Sequence, residues 1–214
     1  HQKKYKDSVI LFYDSEFGTP PEYFKSFGID MDRVIHTPIT DVEQLKFDIT
    51  NQLNDLNKDD NVCIVIDSIG NLASKKEVDD AMDGKSVADM SRAKQMKSLF
   101  RIITPQLNLK DIPLICVNHT YKEIGMFPKD IVSGGTGAYY SADAIWIIGR
   151  RQDKEGTEIK GYHFVINIEK SRHVREKSQI PITVTFDGGI MKWSGLLEVA
   201  EKAGFVHKPK LGWY

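Results

Sequence analysis

Four short apolar runs rich in β-branched residues set the frame of this chain: VILFY (9–13), VCIVI (62–66), PLICV (113–117) and AIWII (144–148). Segments of helical length lie between them. Residues 41–55 carry Val42, Leu45, Phe47, Ile49 and Leu53, and residues 86–109 carry Val87, Met90, Met96, Leu99, Phe100 and Ile103. Apolar runs alternating with amphipathic helices predict an α/β fold, a mostly parallel sheet with helices on both faces. The pattern then changes. YHFVINIEK (162–170) and IPITVTF (180–186) alternate apolar and polar positions between turn residues, which predicts antiparallel strands added to one edge. A last helix is expected from Ser194 to Ala203, with Ser194 as N-cap, Leu196, Leu197, Val199 and Ala200 as its apolar face, and Gly204 as its stop.

At 214 residues the chain suits one sizeable core, and it reads as a single domain over 1–214 without repeats or low-complexity tracts. No apolar run approaches the roughly 20 residues of a membrane-spanning helix, so no membrane partner is expected. Net charge is −1, so a nucleic acid would have to be held by a local basic surface. Cys63 and Cys116 each sit inside an apolar run, which predicts buried free thiols and a cytoplasmic setting. The chain starts at His1 with no charged-then-apolar leader behind it.

Three strand ends carry chemistry. NVCIVIDSIG (61–70) is an apolar strand ending in Asp67, at the rim where an open parallel sheet binds ligands and where a phosphate-bound Mg²⁺ needs an oxygen. Strand-ending aspartates also cap loops, and the stretch alone leaves both readings open. LFYDSEFG (11–18) brings Asp14 and Glu16 to a second strand end. A carboxylate there that does not bind metal suits the orientation of a water attacking a γ-phosphate, a role for Glu16 with Asp14 structural; the plain alternative has both facing solvent. LICVNHTY (114–121) presents Asn118 and His119, where a polar group can touch a terminal phosphate, although a lone histidine is commonly just hydrogen-bonded.

The stretch 122–143 has no periodic pattern and contains Gly134, Gly135 and Gly137 with Lys122, Lys129, Tyr139 and Tyr140, fit to approach phosphates and stack on single-stranded bases. A linker is the alternative. In 74–94, Lys75, Lys76 and Arg92, with Lys97 beyond, would have to outweigh Glu77, Asp79, Asp80 and Asp83 to hold DNA. Lys170 and Arg172, two apart on an expected strand, share a face and could hold an anion or merely line a solvated surface.

In order along the chain, LFYDSEFG, VIHTP, IDSIGNLASKKE, SRAKQMKSLFRI, NHTY, GGTG, YSAD, IEKSR, FDGGI and SGLL resemble the RecA-type recombinase core, and within it the recombinases of T-even bacteriophages. The resemblance covers nearly the whole chain and implies a RecA-like fold. It implies that Glu16 activates water, Asp67 is the Walker B acid that meets metal, and His119 stands where relatives sense the γ-phosphate. Tyr23 would stack on adenine, and Lys170 and Arg172 would reach the ATP of an adjacent protomer. The DNA-binding loops would span 75–91 and about 122 to 138. It implies ATP and Mg²⁺ as cofactors. The implied partners are single- and double-stranded DNA, further copies of the chain in a helical filament, and single-strand-binding and loader proteins; the setting is the host cytoplasm if phage-encoded. One departure counts against an intact ATPase: no G-x-x-x-x-G-K-[ST] occurs in these residues. The expectation is a fragment truncated at both ends, with His1–Asp7 as the tail of a lost helix, binding ATP poorly. A hexameric helicase on the same fold and a non-catalytic DNA-binding fragment are the alternatives.

Overall fold

Backbone pairing sorts the apolar runs into separate sheets in the computed structural model, which describes residues 1–85, 91–126, 130–155, 157–186, 189–207 and 209. The chain divides into two compact units, His1–Ala142 and Asp143–Tyr214, where the sequence reads as one domain.

In the first unit, β1 (Val9–Asp14), β2 (Val34–Pro38), β3 (Val62–Asp67) and β4 (Leu114–Cys116) form a parallel sheet in the order β2-β1-β3-β4. VIHTP is thus a strand that no apolar run announced: it lies at the sheet edge, with Ile35 and His36 exposed. Its helices are α1 (Pro21–Ser26), α2 (Val42–Asp55), α3 (Lys75–Met82) and α4 (Ser91–Lys110). The period of two along β1 and β3 selects Leu11, Tyr13, Ile64 and Ile66 for one face, where they pack against Leu45, Ile49 and Leu53 of α2 and Met96, Leu99 and Ile103 of α4. On the other face Phe12 meets Phe24 of α1 edge-on, 5.0 Å between centroids, while Ile115 stays exposed.

Helix α2 starts where the sequence places it. Asp41 caps it, accepting from the Gln44 backbone N at 2.8 Å, and the Gln44 side chain accepts from the Thr40 N at 3.0 Å. Phe47 lies off the apolar stripe and is exposed, contrary to its expected place in the core. Helix α4 begins at Ser91; Val87 and Met90 lie outside the described residues. Residues 2–4 and 6–7 form turns rather than the end of a helix. The stretch after β4 has structure of its own: β5 (Thr120–Lys122) pairs antiparallel with β6 (Asp130–Val132), and α5 (Thr136–Ser141) follows. Gly137 lets α5 approach α4 closely, since a Cβ there would fall 2.7 Å from the Lys97 Cα.

The second unit is an antiparallel sheet in the order β10-β9-β8-β7, made of β7 (Ala144–Glu155), β8 (Glu158–Ser171), β9 (Gln179–Thr185) and β10 (Gly189–Ile190). The expected antiparallel strands are present, as a sheet of their own. AIWII opens that sheet instead of joining the parallel set, with Ile148 paired to Ile166. Helix α6 (Leu196–Lys202) is shorter than expected. Gly195 is its N-cap, because the Ser194 hydroxyl is taken up by the Thr183 backbone N at 2.9 Å. Its apolar residues are not buried. Gly204, at φ +78°, ends it as anticipated. Cys63 is buried and Cys116 half-buried, both as free thiols. Among the described residues no helix is long and apolar enough to cross a membrane.

Candidate active site

The register of the parallel sheet puts Asp14 beside Asp67, so two strands end in carboxylates at one edge. Asp14 is buried, with 1% of its surface exposed, and its oxygens are spoken for. Oδ1 accepts from the backbone N of Glu16 at 3.0 Å and of Phe17 at 2.8 Å, and Oδ2 lies 3.0 Å from His36 Nε2. Asp14 therefore shapes the turn, as the structural role anticipated, and that turn lifts Glu16 to the rim. The two strand ends are further tied by Ser15, whose Oγ donates to the Ser68 carbonyl at 2.6 Å and accepts from the Ser68 N at 2.9 Å.

Glu16 is exposed at the rim, yet one of its oxygens is engaged. Its Oε1 accepts from Ser68 Oγ and from Asn71 Nδ2, each at 2.7 Å, and His119 Nε2 stands 3.7 Å from the same oxygen. The three acids and the imidazole interact. The Asp67 carboxyl is pushed above its ordinary value of 3.8, first by desolvation, then by the charges of Glu16 and Asp14, with His119 acting in the opposite sense. Negative charge concentrated at the carboxyl ends of parallel strands is an arrangement that a cation relieves.

His119 reaches this edge because β4 ends at Cys116 and the chain turns over β3: the Ile69 N donates to the Val117 carbonyl at 2.9 Å. Gly70 is required there, since a Cβ would fall 2.8 Å from the imidazole. The following segment is tied to the same point. Asn118 Nδ2 donates to the Ser133 carbonyl and the Ser133 N to the His119 carbonyl, each at 2.9 Å, so the residues before Gly134 and Gly135 are anchored to the strand that carries His119.

Arg92 is one of the candidate DNA contacts. Its guanidinium donates to the carbonyls of Ile69, Gly70 and Leu72, clamping the loop after Asp67. Ser68, Asn71 and this clamp escaped the sequence reading because hydroxyl, amide and guanidinium carry no periodic signal.

The remaining candidates scatter over both units. Tyr23 lies exposed on α1, edge-on to Phe27 at 5.1 Å. Lys75 and Lys76 open α3, a helix capped by Ser74 where a loop was expected; Lys76 pairs with Asp80. Lys97 is exposed on α4, and Lys122 pairs with Asp130 at 2.8 Å. Gly134 and Gly135 have φ of +86° and +79°, a backbone region that favours glycine. Lys129 and residues 86–90 of the expected first loop lie outside the described residues. In the second unit Lys170 is on β8, but Arg172 falls just past its end and pairs with Asp143 at 2.9 Å, so the two do not share a strand face.

Among the described residues no three His, Cys, Asp or Glu side chains form a metal cage. One carboxylate, Asp67, suits Mg²⁺ that arrives on nucleotide phosphates and needs little from the protein.

Residues 1–191 match the RecA N-terminal domain family. The chain belongs to the RecA family. Residues 193–214 match the C-terminal domain of the bacteriophage T4 recombination and repair protein. The recombination and repair protein of Enterobacteria phage T4 is 56% identical to this RecA-family chain over its full length, which covers 55% of that relative. The protein RecA of Streptomyces coelicolor is 27% identical over 96% of the chain and 54% of the relative. That of a Nocardioides species is 25% identical over 96% and 58%. The chain thus spans about half the length of the curated relatives it matches.

Proposed function

We propose that these residues form the core of an ATP-dependent homologous recombinase. It coats single-stranded DNA as a helical filament of its own copies, pairs that strand with duplex DNA and exchanges strands, hydrolysing ATP to turn over. The observation that carries the reading is the meeting of Glu16, Asp67 and His119 at one edge of the parallel sheet. Family membership and the likeness to the phage T4 recombination and repair protein support it.

In this reading Glu16 accepts a proton from the water that attacks the γ-phosphorus, while the bond to the leaving ADP oxygen breaks in line. Asp67 would hold the Mg²⁺ that the nucleotide brings, whose charge would offset that of Glu16 and Asp14 beside it. His119 contacts the γ-phosphate, and Asn118 transmits its state to Ser133 and the glycines beyond. Tyr23 offers an exposed ring for adenine. Lys170 and Arg172 reach the nucleotide of the adjacent copy in the filament. DNA runs along the segments 75–91 and 122–138, with Lys75, Lys76, Lys97, Lys122 and Lys129 as its cations. Single-strand-binding and loader proteins act on the same filament in the cytoplasm, that of the host if the chain is phage-encoded.

No phosphate loop of the G-x-x-x-x-G-K-[ST] form is present in the sequence, so the 214 residues alone hydrolyse ATP poorly. The test joins them to a phosphate loop and replaces Glu16→Gln. ATP should still bind while single-strand-stimulated turnover falls by at least about 100-fold, the scale of losing a general base. Turnover that survives the change removes Glu16 from the chemistry.

A further inference from the structure

A glutamate that must take a proton from an attacking water needs one oxygen aimed at it, and its long side chain does not keep that aim unaided. Glu16 is restrained at a single atom. Ser68 and Asn71 both donate to Oε1 at 2.7 Å, and among the described residues no donor reaches Oε2. Two donors on one oxygen fix the plane of the carboxylate and leave the other oxygen for water.

The two donors differ in what holds them. Ser68 is fully buried next to Asp67 at the strand end. Asn71 is exposed on the loop beyond, and its amide still points at Glu16. Arg92 accounts for that. Its guanidinium, from the first turn of α4, bonds the carbonyls of Ile69 and Gly70 before Asn71 and of Leu72 after it. A neutral amide also has the right chemistry. A lysine at this place would pair with Glu16 and hold its charge against proton uptake, whereas a carboxamide orients without neutralising.

We propose that Asn71 is a positioning residue for Glu16: its carboxamide pins Oε1 so that Oε2 meets the attacking water, with Arg92 keeping the loop in place. The proposal rests on the reading of Glu16 as the proton acceptor.

The experiment measures single-strand-stimulated ATP hydrolysis by the chain joined to a phosphate loop, as wild type, Asn71→Ala, Asn71→Asp, Glu16→Gln and the double variant Glu16→Gln/Asn71→Ala. Asn71→Ala should lower kcat on the order of 10- to 100-fold, the cost of a misaimed catalytic group, with KM for ATP and melting temperature unchanged. Asn71→Asp keeps the shape and loses the N–H, and should lose at least as much. In the Glu16→Gln background Asn71→Ala should change turnover no further, which a general structural defect would not mimic. If Glu16→Gln abolishes turnover but both Asn71 variants keep kcat within about twofold, or raise KM alone, the proposal falls and the catalytic reading stands. If Glu16→Gln turns over like wild type, the catalytic reading falls and takes the role of Asn71 with it.

Discussion

In the unit His1–Ala142, Leu45, Ile49, Ile64, Ile66 and Leu99 have no exposed surface, because α2 and α4 cover the face that β1 and β3 present. In Asp143–Tyr214 the run AIWII that opens β7 is as apolar, yet Trp146 and Ile148 remain 57% and 56% exposed. On β8 the buried apolar side chains are Ile166 and Ile168. The one helix described in that unit spans seven residues, three of them charged, and buries none. Periodicity thus states which face of a strand is apolar; whether something covers that face depends on a second element long enough to bring its own apolar stripe. The acids of the candidate site belong to the closed unit, where restricted hydration makes their mutual repulsion felt.

The contrast should break first, if it is wrong, at a core leucine. Leu99→Ala is expected to cost about 2–5 kcal/mol in denaturant unfolding followed by far-UV circular dichroism, the range for a buried leucine lost without collapse of the cavity. A loss near zero would mean that α4 does not close the core. Next in size is Asp14→Ala, which strands the Glu16 and Phe17 backbone N–H groups and leaves His36 without its partner. It should cost about 2 kcal/mol by the same measurement, and less than that would mean water already satisfies the turn.

Asp67→Asn works in the opposite direction. Because the folded state raises the Asp67 pKa, it favours the protonated acid; the stability tied to that proton is full below 3.8 and is lost as pH rises through the raised value. The amide cannot ionise, so the variant should melt above wild type at neutral pH, and the two should converge as pH falls below 3.8. Equal melting temperatures at neutral pH would show the carboxylates to be better hydrated than their burial implies. The smallest effect belongs to the open unit. Trp146→Ser should change stability by no more than about 0.5 kcal/mol, as expected for an exposed position, and a large loss would show that something covers that face.

The fold was legible wherever a signal is local. Val42–Asp55 could be bounded from Asp41 and its apolar stripe, and Asp67 could be placed at a strand end from VCIVI alone. VIHTP could not, since an edge strand with exposed positions has a diluted apolar pattern, and AIWII could not be assigned to its sheet, since strand direction leaves no mark on composition. At the site, Asp14 and Glu16 stood out as acids following an apolar run, and the glycines at 134 and 135 as a break in pattern. Ser68, Asn71 and the true engagement of Arg92 were silent. Each acts on a group 20 or more residues away in sequence, and polar side chains of those types occur everywhere on a surface.

By itself the sequence determined the alternation of strand and helix, the acids waiting at strand ends, and membership in a family, because hydrophobic period and side-chain ionisation are properties of short stretches. Tertiary structure alone decided that Asp14 turns inward to hold a loop while Glu16 is turned to the rim, that an asparagine and a serine share one of its oxygens, and that an arginine serves backbone carbonyls. The physical reason is register: hydrogen bonding between strands fixes which distant residues become neighbours, and a slip of one residue would exchange every inward side chain for an outward one.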